Sequence, residues 1–212
     1  VDAGLTGVYR GSSSLGDING DGHLDLVITG EDANENPTAT LYIGDGDGGF
    51  TDAYASLNGV RYSSSSLGDV NGDGALDLVI TGEDANENPT TTLYIGDGDG
   101  GFTNAYARLT GVERSSSSLG DINGDGHLDL VITGVADNNY PRVEVYLGNG
   151  AGRFTDAQAG LTGVYNGSSS LGDVNGDGNL DLVVTGRDAN NFDPTATLYL
   201  GDGDGGFTDA EA

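Results

Sequence analysis

The segment Leu15-Gly-Asp-Ile-Asn-Gly-Asp-Gly-His-Leu-Asp25 returns at Leu67–Asp77, Leu119–Asp129 and Leu171–Asp181, and its leading Asp recurs every 52 residues as Asp17, Asp69, Asp121 and Asp173. A fixed period of this length means that one supersecondary unit has been copied, and that neighbouring copies share a core no single copy could build. Four copies are expected, at about 5–56, 57–108, 109–160 and 161–212, in one repeat domain spanning 1–212. Only the fourth departs from the period, with one extra residue before Pro194.

Within a copy, four strand-like stretches can be placed. In the first copy they are the Ser-rich run Val8–Leu15, the apolar β-branched run Leu24–Thr29, the alternating run Thr38–Ile43 after Pro37, and Gly49–Ala53. Clusters of Gly, Asn, Asp and Pro bound each of them, and no stretch keeps a helical period. Four strands per 50-residue repeat predict an all-β fold, a β-propeller of four-stranded blades with four blades per chain. The Ser-rich strand suits the innermost position, where blades converge and only small side chains pack. A β-solenoid and a row of separate modules are the competing architectures.

The loop between the first and second strands carries the chemistry. Its pattern, Asp17-x-Asn19-x-Asp21-Gly22-x-x-Asp25, places oxygen ligands at positions 1, 3, 5 and 9, with a glycine at the sharp turn. Position 7 holds His23, Ala75, His127 and Asn179 in the four copies, so its backbone carbonyl is the expected donor. The equivalent sets are Asp69, Asn71, Asp73 and Asp77; Asp121, Asn123, Asp125 and Asp129; and Asp173, Asn175, Asp177 and Asp181. Such a donor set predicts Ca2+, about four ions per chain and one per repeat. Three carboxylates within nine residues would otherwise repel one another. An EF-hand is excluded, because position 12 is Ile28 inside an apolar run rather than Glu. The second acidic cluster, Gly44–Phe50, loses both carboxylates in the third copy, at Asn149 and Ala151, and so reads as a hairpin turn.

Charge bounds the partners. Thirty-four acidic residues oppose seven basic ones, a net charge of −27, which excludes nucleic acid and anionic membrane surfaces. Bound cations account for part of that charge, and a halophilic origin could account for more. No cysteine is present and no apolar run is long enough to insert in a membrane. A start at Val1 rather than Met suggests a processed, excised or engineered chain. Catalysis is not expected: His23 and His127 are the only histidines, both at loop position 7, and no Ser has a base in sequence reach.

The copies differ most at the entry to the first strand and between the second and third strands. These places hold Tyr9, Arg10, Arg61, Tyr62, Arg114, Tyr140, Tyr165 and Phe192, and alternating strand direction sets them on the face away from the acidic loops. Aromatic and Arg side chains there are the candidate contacts for a protein or carbohydrate ligand.

The run Ser65-Ser-Leu-Gly-Asp-Val-Asn-Gly-Asp-Gly74, followed by Leu76-Asp-Leu-Val-Ile-Thr-Gly82 and Leu93-Tyr-Ile-Gly-Asp-Gly-Asp-Gly-Gly-Phe102, resembles the FG-GAP/VCBS repeats of integrin-like β-propellers. The resemblance covers nearly the whole chain. It implies the same calcium ligands in each copy, an extracellular, secreted or cell-surface setting, and roles in adhesion, recognition or carbohydrate binding. Propellers of this kind usually have about seven blades, so a four-bladed monomer, a piece of a longer array and a homodimer completing an eight-bladed ring all stay open. The functional readings are a non-catalytic calcium-stabilised interaction scaffold, a lectin, or a designed or recently amplified repeat protein without an evolved ligand. Loops Glu31–Asn36 and Glu83–Asn88 are identical, as recent copying or design would leave them.

Overall fold

The computed structural model describes residues 3–211. Its strands form four four-stranded antiparallel sheets, each taking its strands in chain order. Sheet 1 holds β1 (Tyr9–Gly16), β2 (Asp25–Glu31), β3 (Pro37–Gly44) and β4 (Phe50–Asp52). Sheet 2 holds β5 (Arg61–Gly68), β6 (Asp77–Glu83), β7 (Pro89–Gly96) and β8 (Phe102–Asn104). Sheet 3 holds β9 (Glu113–Gly120), β10 (Asp129–Ala136), β11 (Tyr140–Gly148) and β12 (Phe154–Asp156). Sheet 4 holds β13 (Val164–Gly172), β14 (Asp181–Asp188), β15 (Pro194–Gly201) and β16 (Phe207–Asp209). The expected strands are all present within one or two residues, and the helical content among the described residues is one 3-10 turn at Asp137–Asn139. The all-β class is correct, and the four up-and-down sheets are consistent with the blades of a four-blade propeller.

The second strands explain why the copies need one another. Along β6, Leu78 and Ile80 point into a cluster shared with Val27 and Leu41 of sheet 1, while Val79 points into a cluster with Leu130 and Ile132 of sheet 3. Both faces of the strand are covered, so the sequence reads as a continuous apolar run instead of alternating. The same arrangement joins sheets 3 and 4 through Val131 and Val145 against Leu182 and Val184. Each fully covered Leu or Ile side chain contributes about 1.5–3 kcal/mol relative to exposure.

The first strands line up along the inner edge, with β1 packed on β5, β5 on β9 and β9 on β13. Serine makes that approach possible, since its hydroxyls bond across the seam. Ser14 Oγ reaches Ser65 Oγ at 2.7 Å and Ser66 Oγ reaches Ser117 Oγ at 2.8 Å, while Ser118 donates to the Ser169 carbonyl at 3.2 Å. Among the described residues, no comparable packing joins sheet 1 to sheet 4. The linkers are held by the third strands: Tyr94 and Tyr146 accept the N–H groups of Asn58 and Thr110 at 2.9 and 3.1 Å. A central junction residue should therefore be costly to truncate. Leu93→Ala is expected to lower stability by about 2–5 kcal/mol in urea unfolding, with an unchanged m value.

Candidate functional site

The acidic loops and the Gly-Asp hairpins lie at one end of the sheets, because β1 ends where β2 begins and β3 ends where β4 begins. Within the loop Asp17–Leu24 the backbone N–H groups turn inward onto the side chains. Asp17 Oδ2 accepts from Gly22 N–H at 3.0 Å, Asn19 Oδ1 from Asp21 N–H at 3.0 Å, and Asp21 Oδ1 from His23 N–H at 2.8 Å. Asn19 Nδ2 donates to Asp21 Oδ2 at 3.0 Å, and the same bond recurs in the other copies at 2.8, 3.1 and 2.9 Å. These bonds hold Asp21 and its equivalents Asp73, Asp125 and Asp177 below the usual carboxylate range, with the N–H of position 7 the leading cause in each.

Position 9 has a role that spacing did not suggest. Asp25, Asp77, Asp129 and Asp181 are buried, and their oxygens accept backbone N–H groups from two directions. Asp77 Oδ2 accepts from Val70 at 2.9 Å, and Asp77 Oδ1 accepts from Gly96, at the end of β7, also at 2.9 Å. This carboxylate pins the acidic loop to the end of the third strand. Burial pushes Asp77 and Asp129 up, and the same backbone bonds pull against that shift.

Among the described residues no three acidic or histidine side chains converge closely enough to hold a metal ion. One oxygen is nevertheless left over: Asp17 Oδ1 is buried and has no hydrogen-bond partner. The exposed carboxyls of Asp21, Asp73, Asp125 and Asp177, the four position-3 asparagines and the backbone carbonyls of His23, Ala75, His127 and Asn179 complete the donor chemistry at this end. The Gly44–Phe50 cluster is a hairpin turn. Asp45 Oδ1 accepts from Asp47 and Gly49 N–H, both at 2.8 Å, and Asn149 Oδ1 caps Ala151 and Arg153 in the same way. An amide oxygen caps as a carboxylate does, so the third copy can lose its charge there.

The opposite end holds the variable residues, roughly 25 Å away along the strands. Each first strand bulges there, with Arg10, Tyr62, Arg114 and Asn166 at φ near +50°. Such backbone is uncommon for residues other than glycine, and bulges of this kind re-aim side chains. Arg10 lies over the Tyr9 ring at 4.8 Å and over Tyr62 at 4.5 Å, with Arg114 also over Tyr62 at 4.8 Å. Arg142 stacks on Tyr140 at 5.6 Å, and Tyr165 stacks on Phe192 at 5.2 Å. The structure thus brings the eight predicted residues to one end, where Arg10, Tyr62 and Arg114 are engaged with one another. Tyr9, Tyr140 and Phe192 keep exposed faces.

Beneath these rings runs a buried acidic row, Glu31, Glu83 and Glu113, that sequence reasoning missed. Arg10 and Arg61 both reach Glu31, Arg61 also bonds Glu83, and Arg114 bonds Glu113 at 2.9 Å. A signal was present in the strand register, where Arg61 faces Glu83 but Glu113 faces Val135. Glu113 therefore lacks the cross-strand charge partner that Glu83 has, and its Oε2 is buried with no donor to accept from. Burial first, and the neighbouring Glu83 second, push Glu113 up to about 7. Burial also pushes Glu83 up, but hydrogen bonds from Glu113 and Arg61 outweigh it and hold Glu83 low. Of the two, Glu113 is the one that holds a proton more readily.

A family model for FG-GAP-like repeats matches residues 17–80, 69–132 and 121–184. The chain belongs to the FG-GAP-like repeat family. Each FG-GAP match begins at a position-1 aspartate and ends in the second strand of the following sheet, so it takes in two acidic loops and the strands between them. Residues of these repeats are 29% identical over 134 positions to the T-cell immunomodulatory protein homolog of Plasmodium yoelii yoelii, covering 56% of this chain and 19% of that protein. The FG-GAP chain thus spans about a fifth of the length of that relative. Among solved structures, the V. cholerae biofilm matrix protein Bap1 aligns with 95% of this chain and 39% of its own, at 19% identity and a TM-score of 0.44. No helix of the described residues is long and apolar enough to cross a membrane.

Two outcomes are expected from this site. Asp77→Asn, measured in chelator, replaces an acceptor with an N–H2 facing backbone donors and should cost about 1–3 kcal/mol of stability. Glu113 binds its proton more tightly folded than at its ordinary value of 4.5, so its contribution is complete below that pH and lost as pH rises through about 7. Glu113→Gln should therefore raise the melting temperature at pH 8 and leave it nearly unchanged at pH 4; equal effects at both would refute the assignment.

Proposed function

We propose that the chain is a calcium-stabilised, propeller-type interaction scaffold without catalytic activity. The observation that carries this reading is the buried, unpartnered Oδ1 of Asp17 in a loop otherwise bonded to its own backbone. A buried carboxylate oxygen with no donor is costly unless a cation or water meets it. The donors that would hold Ca2+ are Asp17, Asn19, Asp21, the His23 carbonyl and Asp25, with the matching residues of the other three loops. These are hard oxygen donors in flexible surroundings, as calcium prefers. A bound ion supplies charge neutralisation at the end of the sheets where the carboxylates crowd. It also binds only the folded loop, so it stabilises the fold by mass action.

The partner face in this reading is the bulged end, where Tyr9, Tyr140 and Phe192 present aromatic surface beside Arg10 and Arg142. A protein partner fits this mixture of open rings and guanidinium groups. A carbohydrate is the second reading, favoured by the flat, exposed stack of Phe192 on Tyr165. Both readings place the chain outside the cell, where calcium is abundant, and keep it from nucleic acid through its charge of −27.

Calorimetric melting in millimolar calcium and in chelator tests the calcium reading. With sites near saturation the melting temperature should rise by at least about 5 °C, and Asp17→Ala with Asp21→Ala should remove one of the four binding events in titration calorimetry. Identical melting in both conditions would overturn it. Binding of the intact chain to a glycan array, lost in Phe192→Ala, would select carbohydrate over protein as the ligand.

A further inference from the structure

The two outer faces of the row of sheets are the two halves of the contact that is made three times inside it. At each internal junction a glycine ending one first strand receives two leucines of the next copy. A Cβ on Gly16 would stand 2.6 and 3.0 Å from methyl carbons of Leu76 and Leu67. On Gly68 the corresponding distances are 2.7 and 2.9 Å to Leu128 and Leu119, and on Gly120 they are 2.9 and 3.0 Å to Leu180 and Leu171. A methyl group at any of the three would press on these leucines. Gly172, in the last copy, has nothing within 4 Å, while Leu15 and Leu24, the equivalent leucines of the first copy, stand 58% and 57% exposed. The socket is at one end of the chain and the plugs are at the other.

The surrounding positions behave in the same way. Val27, Val79 and Val131 are wholly buried, but Val183 in the last copy is 37% exposed. Half-buried Ile28 opens on the other outer face, where Ile80 and Ile132 are covered. The serine seam also stops short: Ser170, the counterpart of Ser14, Ser66 and Ser118, is exposed, and so is Ser13, the counterpart of their acceptors.

We propose that two copies of this chain associate head to tail, with Leu15 and Leu24 of each seated over Gly172 of the other, closing eight sheets into a ring. The occupant follows from the three internal junctions, which show what these positions pack against when covered. A head-to-tail contact either closes or grows into a filament. Propellers usually have about four to eight blades; one copy leaves its four sheets open, and two copies reach the upper limit. The pairing rests on packing and does not depend on the calcium reading.

Sedimentation and light scattering on the intact chain at high micromolar concentration test it. The wild type should run at twice the 21.4 kDa chain mass. Leu15→Glu and Gly172→Val each alter a position that lies open in the single chain, so both should stay folded by circular dichroism and run as single chains. An equimolar mixture of the two should form pairs again, because one junction then has an intact socket and intact plugs. A single-chain wild type, a variant that still pairs, a mixture that does not, or masses beyond two chains would each overturn the proposal. Melting of the same samples with and without calcium reads the other proposal separately, so loss of pairing with an intact calcium response counts against the ring alone.

Discussion

Burial of one sheet's face against the next is the interaction on which the rest depends. A single four-stranded sheet with Leu78 and Ile80 on one side and Val79 on the other cannot satisfy both faces alone. Its neighbours supply the missing surfaces, and the row exists because each sheet is incomplete. Close approach of the inner strands follows from the same need. Serine and glycine occupy those strands where a larger side chain would hold the sheets apart, and the hydroxyl bonds replace water along the seam.

The sheets set the two ends of the molecule, and the ends handle charge in different ways. At the acidic end, carboxylates crowd within short loops and are met by backbone N–H groups. Position 9 is drawn into the interior, where it accepts from its own loop and from the end of the third strand at once. That double attachment couples the loop to the core, so a cation held at the loop would act on the packing of the whole sheet. At the other end the carboxylates pair with arginine, Arg10 lies against two aromatic rings, and Tyr62 meets both Arg10 and Arg114. Charge there is balanced by side chains, and Glu113, buried beside Glu83, is pushed up to about 7.

Departures from the repeat show which interactions the fold requires. Thr29 and Thr81 bond serines of the next copy, Ser63 at 2.8 Å and Ser115 at 2.6 Å. For Thr133 the position equivalent to those serines is Gly167, and the buried Thr133 hydroxyl has no partner. The sheet junction tolerates the loss of this bond while keeping the apolar contacts beside it. Asn149 likewise keeps the hairpin turn without the charge.

The sequence alone determined the period, the four strands of each copy, their order and the acidic loop between the first two. Each of these rests on local chemistry: glycine and aspartate punctuate the turns, and apolar runs mark strands covered on both sides. The family resemblance was legible for the same reason, since the loop and the following strand are contiguous in the chain. Only the tertiary structure decided which face of Leu26-Val27-Ile28 meets a neighbour and which stays open, because that depends on whether another sheet stands beside it. It also decided that Asp25 is buried under backbone donors from its own loop and from the end of the third strand, and that Glu31, Glu83 and Glu113 form one row. Those groups are far apart in the chain, and only the stacking of sheets brings them within reach of the same arginines.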